Sequence, residues 1–106
     1  MRTYRQGDVL IMAVATVTTE TPIAPVDGRY ILASGEVTGH HHALEASPTT
    51  ALYAGPDSDM HLLIKEGEAL LRHEEHGTIT LPPGSYVVRR QREWSEAARR
   101  AEWVMD

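Results

Sequence analysis

Apolar residues in this chain come in short runs of no more than seven, separated by Gly, Pro, Asp or Thr-rich punctuation, and no stretch sustains the 3.6-residue period of an amphipathic helix. Gly7-Asp8 precedes Val9 to Val14, a short run with β-branched positions that reads as a buried strand. Residues 16–28 hold Pro22, Pro25 and Asp27-Gly28, so they predict a long connection ending in a tight turn before a strand from Arg29 to Ala33. Gly35 and Gly39 bracket Glu36-Val37-Thr38 and suggest a turn with close backbone approach. His40 to Leu44, Ala51 to Ala54 and His61 to Ile64 follow as short extended segments, the last two joined by a turn at Gly55-Pro56-Asp57.

The stretch Ala69 to His76 is compositionally ambiguous, because Leu, Ala and Glu favour a helix and Gly77 would cap one. Its short length and the turn signals on both sides favour a strand. Thr78 to Leu81 alternates polar and apolar residues, Pro82-Pro83-Gly84 turns the chain, and Tyr86 to Trp94 is the longest extended candidate. Ser95 to Ala98 is compatible with one helical turn before a last strand ending near Val104. Strands recurring at intervals of about ten residues, with no long periodic helix, predict an all-β fold: a small antiparallel sandwich or barrel.

Composition adds bounds rather than identity. At 106 residues and 42% apolar content, the chain is sized for a single β domain spanning 1–106 with one core. Cysteine is absent, which removes disulfides, thiolate chemistry and Cys-type zinc sites. The first residues lack the apolar centre of a signal peptide and no apolar stretch approaches a membrane span, so a soluble cytoplasmic protein is expected. The net charge of −5 disfavours a nucleic-acid partner, since duplex affinity is supplied mainly by Lys and Arg. Charge is uneven, however: residues 1–88 hold five Lys/Arg against eleven Asp/Glu, whereas 89–106 hold five Arg against four acids. Arg89, Arg90 and Arg92 keep an RNA or phosphate contact open, although pairing with the acidic remainder is the plainer expectation.

The chemistry lies in the histidines. Five of the six fall in two clusters, Gly39-His40-His41-His42 and His73-Glu74-Glu75-His76. Neutral imidazole is the commonest ligand for transition metals, and without thiolate a tight site must use His and carboxylate. On a strand His40 and His42 share one face and His41 takes the other. His73 and His76 diverge on a regular strand, and come together only if Glu74-Glu75 bends. The expected metal ligands are therefore His40, His42, His73 and His76, around a divalent transition metal such as Zn, Fe, Mn or Ni. Glu36 and Glu75 are the candidate general bases, with Glu45 and Glu74 also near. His41 and His61 are expected to stay peripheral. The plainer alternative makes all of these exposed turn residues or strand-end hydrogen-bonding groups.

Other chemistries find no support. His73-Glu74-Glu75-His76 spaces its histidines three apart, not four as in a zincin. No nucleophile elbow and neither glycine-rich phosphate loop occurs. Gly7-Asp8 reads as a strand-entry turn, and Trp94 and Trp103 as core or dimer-seam aromatics.

Two resemblances bear on these residues. Gly35 to Glu45, with its His40-x-His42 and Glu45, followed by Gly77 to Tyr86 with Pro82-Pro83-Gly84, resembles a degenerate form of the two cupin motifs. That resemblance implies a double-sheet barrel holding Fe, Mn, Ni or Zn on three His and one Glu, with His40, His42 and Glu45 among the ligands. Val87 stands where the last cupin His would be, so the third imidazole would come from His73 or His76. A broader resemblance, through Arg5-Gln6-Gly7-Asp8-Val9, Gly35 to His40, His73 to Gly77 and Arg90 to Trp94, is to a group of small uncharacterised bacterial and phage proteins, and it implies no activity.

Two functional classes follow. The first is a small β protein with a His-rich, cupin-like metal centre serving binding or catalysis. The second is a non-catalytic accessory protein, phage or bacterial, that self-associates or binds a protein partner through sheet edges or its Arg-rich C-terminal segment.

Overall fold

The computed structural model describes residues 2–34 and 41–90 and is an all-β arrangement of nine strands with one short 3₁₀ turn, Pro56–Ser58. The strands are β1 Thr3–Gln6, β2 Val9–Val14, β3 Arg29–Ser34, β4 His41–Glu45, β5 Thr50–Ala54, β6 Met60–Ile64, β7 Ala69–Arg72, β8 Ile79–Leu81 and β9 Gly84–Arg90. They form two antiparallel sheets, one of five strands in the order β1-β2-β9-β6-β5 and one of four in the order β3-β4-β7-β8.

Alternation fixes which face each strand turns inward. In β7, Ala69 and Leu71 are buried while Leu70 and Arg72 are exposed; in β2, Val9 and Ile11 are fully buried. These side chains meet Leu44, Leu52, Leu62, Ile64, Leu81, Tyr86 and Val88 in one apolar cluster built from both sheets. Fully burying a Leu, Ile or Val contributes roughly 1.5–3 kcal/mol, so this shared layer is what holds the sheets together. Tyr86 brings its hydroxyl out of the apolar layer to donate to the Pro82 carbonyl at 2.6 Å.

Turn chemistry explains the connections. Asp27 and Gly28 both have positive φ, 51° and 76°, and Val26 and Arg29 exchange backbone hydrogen bonds of 2.7 and 3.0 Å across them, as an Asp-Gly hairpin turn requires. Gly7 at φ 60° opens the two-residue turn from β1 to β2.

The sequence expectations hold for β2 to β6, β8 and β9, with ends adjusted. Two differ. The first strand, Thr3–Gln6, was not foreseen: it is a largely polar strand that, among the described residues, pairs with β2 alone. The strand expected over Ala69 to His76 stops at Arg72, because the alternation ends there and residues 74–76 form a bend. The turn at Gly35–Gly39, the end of the Tyr86–Trp94 segment, the helical turn at Ser95 and the last strand lie outside the described residues, as do Trp94 and Trp103. Among the described residues no helix is long and apolar enough to cross a membrane.

Candidate functional site

At one end of the two sheets the β1–β2 turn, the start of β4 and the β7–β8 connection come together, and their polar side chains run from the buried Gln6 and His42 through the half-buried Asp8 and His73 to the exposed His76. The innermost is Gln6, only 2% exposed. Its side-chain nitrogen lies 2.9 Å from both the Leu71 and the Gly77 carbonyl oxygens. Only an NH₂ group can sit between two carbonyls, so Gln6 Oε1 must face the other way, and there it lies 2.9 Å from His42 Nδ1. His42 therefore donates its Nδ1–H to Gln6. In the neutral ring the lone pair is then fixed on Nε2.

That lone pair faces a carboxylate. His42 Nε2 lies 3.5 Å from Asp8 Oδ1, and the other oxygen of Asp8 accepts from Arg90 Nη2 at 3.0 Å. Burial, reinforced by the nearby His73, lowers the His42 pKa to about 4 despite the opposing pull of Asp8; His76 and Arg90 add to the lowering. Partial burial works to raise the Asp8 carboxyl, but the Arg90 hydrogen bond and charge outweigh it and hold Asp8 below its ordinary value. At neutral pH two acceptors, an imidazole lone pair and an ionised carboxylate, thus confront each other across 3.5 Å.

Two more imidazoles close the cluster. The centroids of His42 and His73 are 4.2 Å apart, those of His73 and His76 4.6 Å, and those of His42 and His76 5.9 Å, so the three rings form a triangle. The Glu74–His76 bend brings His73 and His76 together. His73 Nδ1 accepts the Glu75 backbone N–H at 3.0 Å, which places the proton of its neutral ring on Nε2. Gly7 is the floor of the cluster: a Cβ there would stand 2.8 Å from His76 Nε2 and 3.2 Å from His42 Cε1.

Of the six residues singled out from the sequence, His42, His73 and His76 meet. His40 and Glu36 lie outside the described residues. Glu75 is exposed, and its hydrogen bond to His73 comes from its backbone. His41 points to the opposite face of β4 from His42, and its N–H is held by Glu74 Oε2 at 3.0 Å. His61 belongs to the other sheet, where it is buried and its Nδ1 accepts the Thr18 N–H at 2.8 Å. Gln6 and Asp8 are the two residues that sequence reasoning missed. As the structure stands, the described residues include no group of three or more His, Cys, Asp or Glu side chains set to hold an ion, in keeping with rings that lie against one another rather than aiming their nitrogens at one point.

The family model of a domain of unknown function, DUF8820, matches residues 5–91. The chain belongs to that family. Every described member of the cluster in this DUF8820 chain, from Gln6 to Arg90, falls within the matched span. Neither curated proteins nor solved structures give a match.

The DUF8820 fold also carries a recess of about 260 Å³ on the other side of β4, lined by Arg29, His41, Arg72, His73, Glu74 and Thr78. His73 borders both this recess and the imidazole cluster. Arg89, from the basic concentration near the C-terminal end, is committed to Asp59 through two hydrogen bonds of 3.0 and 2.8 Å.

Proposed function

We propose that this protein binds a divalent transition metal at the end of its two sheets, using His42 Nε2 and the Asp8 carboxylate as the first two ligands and imidazoles from His73 and His76 to complete the set. The carrying observation is the spacing of the two confronting acceptors. Donors each about 2.1 Å from one tetrahedral ion stand roughly 3.4 Å apart, and His42 Nε2 and Asp8 Oδ1 are separated by 3.5 Å. A cation between them relieves the repulsion of a lone pair and a carboxylate, and the Nδ1–H bond to Gln6 is the kind of outer contact that holds a ligating imidazole in register. Recruiting His73 requires its Nδ1 to give up the Glu75 N–H, either to ligate the ion itself or to take up the proton from Nε2 so that Nε2 can ligate, and recruiting His76 requires a turn of the ring over Gly7.

Zn, Fe, Mn and Ni all suit imidazole and carboxylate donors, and the bound ion would serve binding or catalysis. The proposed set departs from the cupin pattern, since its carboxylate comes from a hairpin turn and its other imidazoles from the β7–β8 bend. Metal-stripped protein incubated with each of the four ions and measured by mass spectrometry should retain about one ion per chain, and the Asp8→Asn and His42→Gln variants should retain much less. Stoichiometry near zero for all four ions in the wild type would remove the reading.

A second reading, an accessory protein that associates through its sheet edges, is supported by the edge strands β1, β5, β3 and β8. Light scattering across a concentration series, showing dimers or larger species, would favour it; a monomer throughout, with no partner recovered by the full chain, would count against it.

A further inference from the structure

We infer that the recess on the outer face of the four-stranded sheet is a binding site for a tetrahedral, phosphate-class oxyanion. Arg29 pairs with Glu45 on one side of β4 and Arg72 pairs with Ala43 on the other, so the two arginines flank that strand. Side chains alternate along β4, with His42 and Leu44 turned inward; Ala43, itself buried, takes the side of the sheet shared with the two arginines.

The lining then supplies the donors. Arg29 and Arg72 border the same hollow, with Thr78 contributing a hydroxyl and His73 an imidazole. Neither guanidinium has a carboxylate partner among the described residues, in a chain where Arg89 and Arg90 both do. Glu74 also borders the recess, and its Oε2 accepts the His41 N–H, so among the lining residues one carboxylate stands beside two guanidinium groups, while Glu45 lies opposite Arg29 outside the lining. A planar guanidinium donates two parallel N–H bonds, which suits an anion with several oxygens. Two such forks and a hydroxyl offer more donors than the two oxygens of a carboxylate can use, whereas a phosphate group presents three or four oxygens. Because His73 is shared, a phosphate group bound here would lie directly beside the imidazole cluster.

The test is titration of the full chain with inorganic phosphate and with phenyl phosphate, followed by ¹⁵N–¹H NMR in buffer containing a chelator, with acetate as the carboxylate probe. Saturable shifts should appear at Arg29, Arg72, His73 and Thr78, and Arg72→Met should weaken binding about tenfold, the equivalent of one charge-assisted hydrogen-bonding group. Arg72 is exposed, so the variant should keep the wild-type spectrum elsewhere. Arg5→Met, an exposed charge removed outside the recess, should leave the affinity unchanged. A preference for phenyl phosphate would identify a monoester as the ligand, and equal binding of both would identify the phosphate group itself. Three results would overturn the site: no saturable shift, equal weakening by R5M and R72M, or acetate binding as tightly as phosphate. Because metal is excluded from the titration, a negative outcome leaves the His42–Asp8 reading to be decided by its own stoichiometry measurement.

Discussion

A single amide sets the chemistry of the whole cluster. Gln6 is anchored by two carbonyls, and its orientation decides which nitrogen of His42 carries the proton. Replacing Gln6 by Leu should leave the buried His42 N–H and the Leu71 carbonyl without this partner, a buried unsatisfied group costing about 1–3 kcal/mol, while the part-buried Gly77 carbonyl can turn to water. Because the network can relax and admit water, a total loss of about 2–4 kcal/mol is expected in urea denaturation; a loss below 0.5 kcal/mol would show that the amide is not structurally committed. His42 itself links stability to acid. Its pKa falls from 6.5 in the unfolded chain to about 4 in the metal-free fold, so its favourable contribution is complete above pH 6.5 and is lost as the pH drops through 4. Unfolding curves of metal-free protein between pH 7 and pH 4 should show a decline on the order of 3 kcal/mol, and His42→Gln should flatten that decline. The histidines were legible because imidazole clusters stand out in a sequence. Gln6 and Asp8 were not, because a glutamine or an aspartate beside a hairpin glycine is ordinary until the fold shows what it faces.

At the level of elements, the site depends on three local irregularities at the ends of regular strands. The Gly7 turn presents Asp8, the register shift in β3 between Ile31 and Ala33 lies beside the start of β4, and the bend at residues 74–76 folds His76 back toward His73. Strand positions were readable from runs such as Val9–Val14 and from the polar–apolar alternation of Thr78–Leu81, because burial on one face imposes a two-residue period. The bend could be stated only as a condition, since the Glu-rich composition of residues 73–76 suits a helix, a strand or a turn equally well. β1 escaped notice because an edge strand needs little apolar content. Gly7 tests this level directly. Gly7→Ala would strain a residue at φ 60° and set a methyl group 2.8 Å from His76 Nε2. A destabilisation of about 1–2 kcal/mol is expected from the backbone alone. Displacement of His76 should also lower metal retention; unchanged retention would remove His76 from the ligand set.

For the molecule as a whole, the cluster joins elements that no β-ladder connects. Asp8 extends from the five-stranded sheet and His42 from the four-stranded one, and their meeting point lies beyond the apolar layer that otherwise holds the sheets together. The Gln6 bonds to Leu71 and Gly77 already cross between the sheets there, so an ion shared by Asp8 and His42 would add a second tie at the same end. Such a tie has a thermodynamic signature. An ion that binds only the folded chain stabilises it by about 2.7 kcal/mol at a hundredfold excess over the dissociation constant. For a domain of this size, that corresponds to a rise in melting temperature of roughly 10 °C. The rise should vanish in both Asp8→Asn and His42→Gln, which remove ligands from opposite sheets. It should persist in His61→Gln, where the ring belongs to a separate environment; that variant will be less stable at the outset, because the Thr18 N–H loses its acceptor. A rise that survives Asp8→Asn but not His42→Gln would mean that the ion is held by imidazoles of one sheet alone, and the clamp between sheets would then be wrong even with the metal site right.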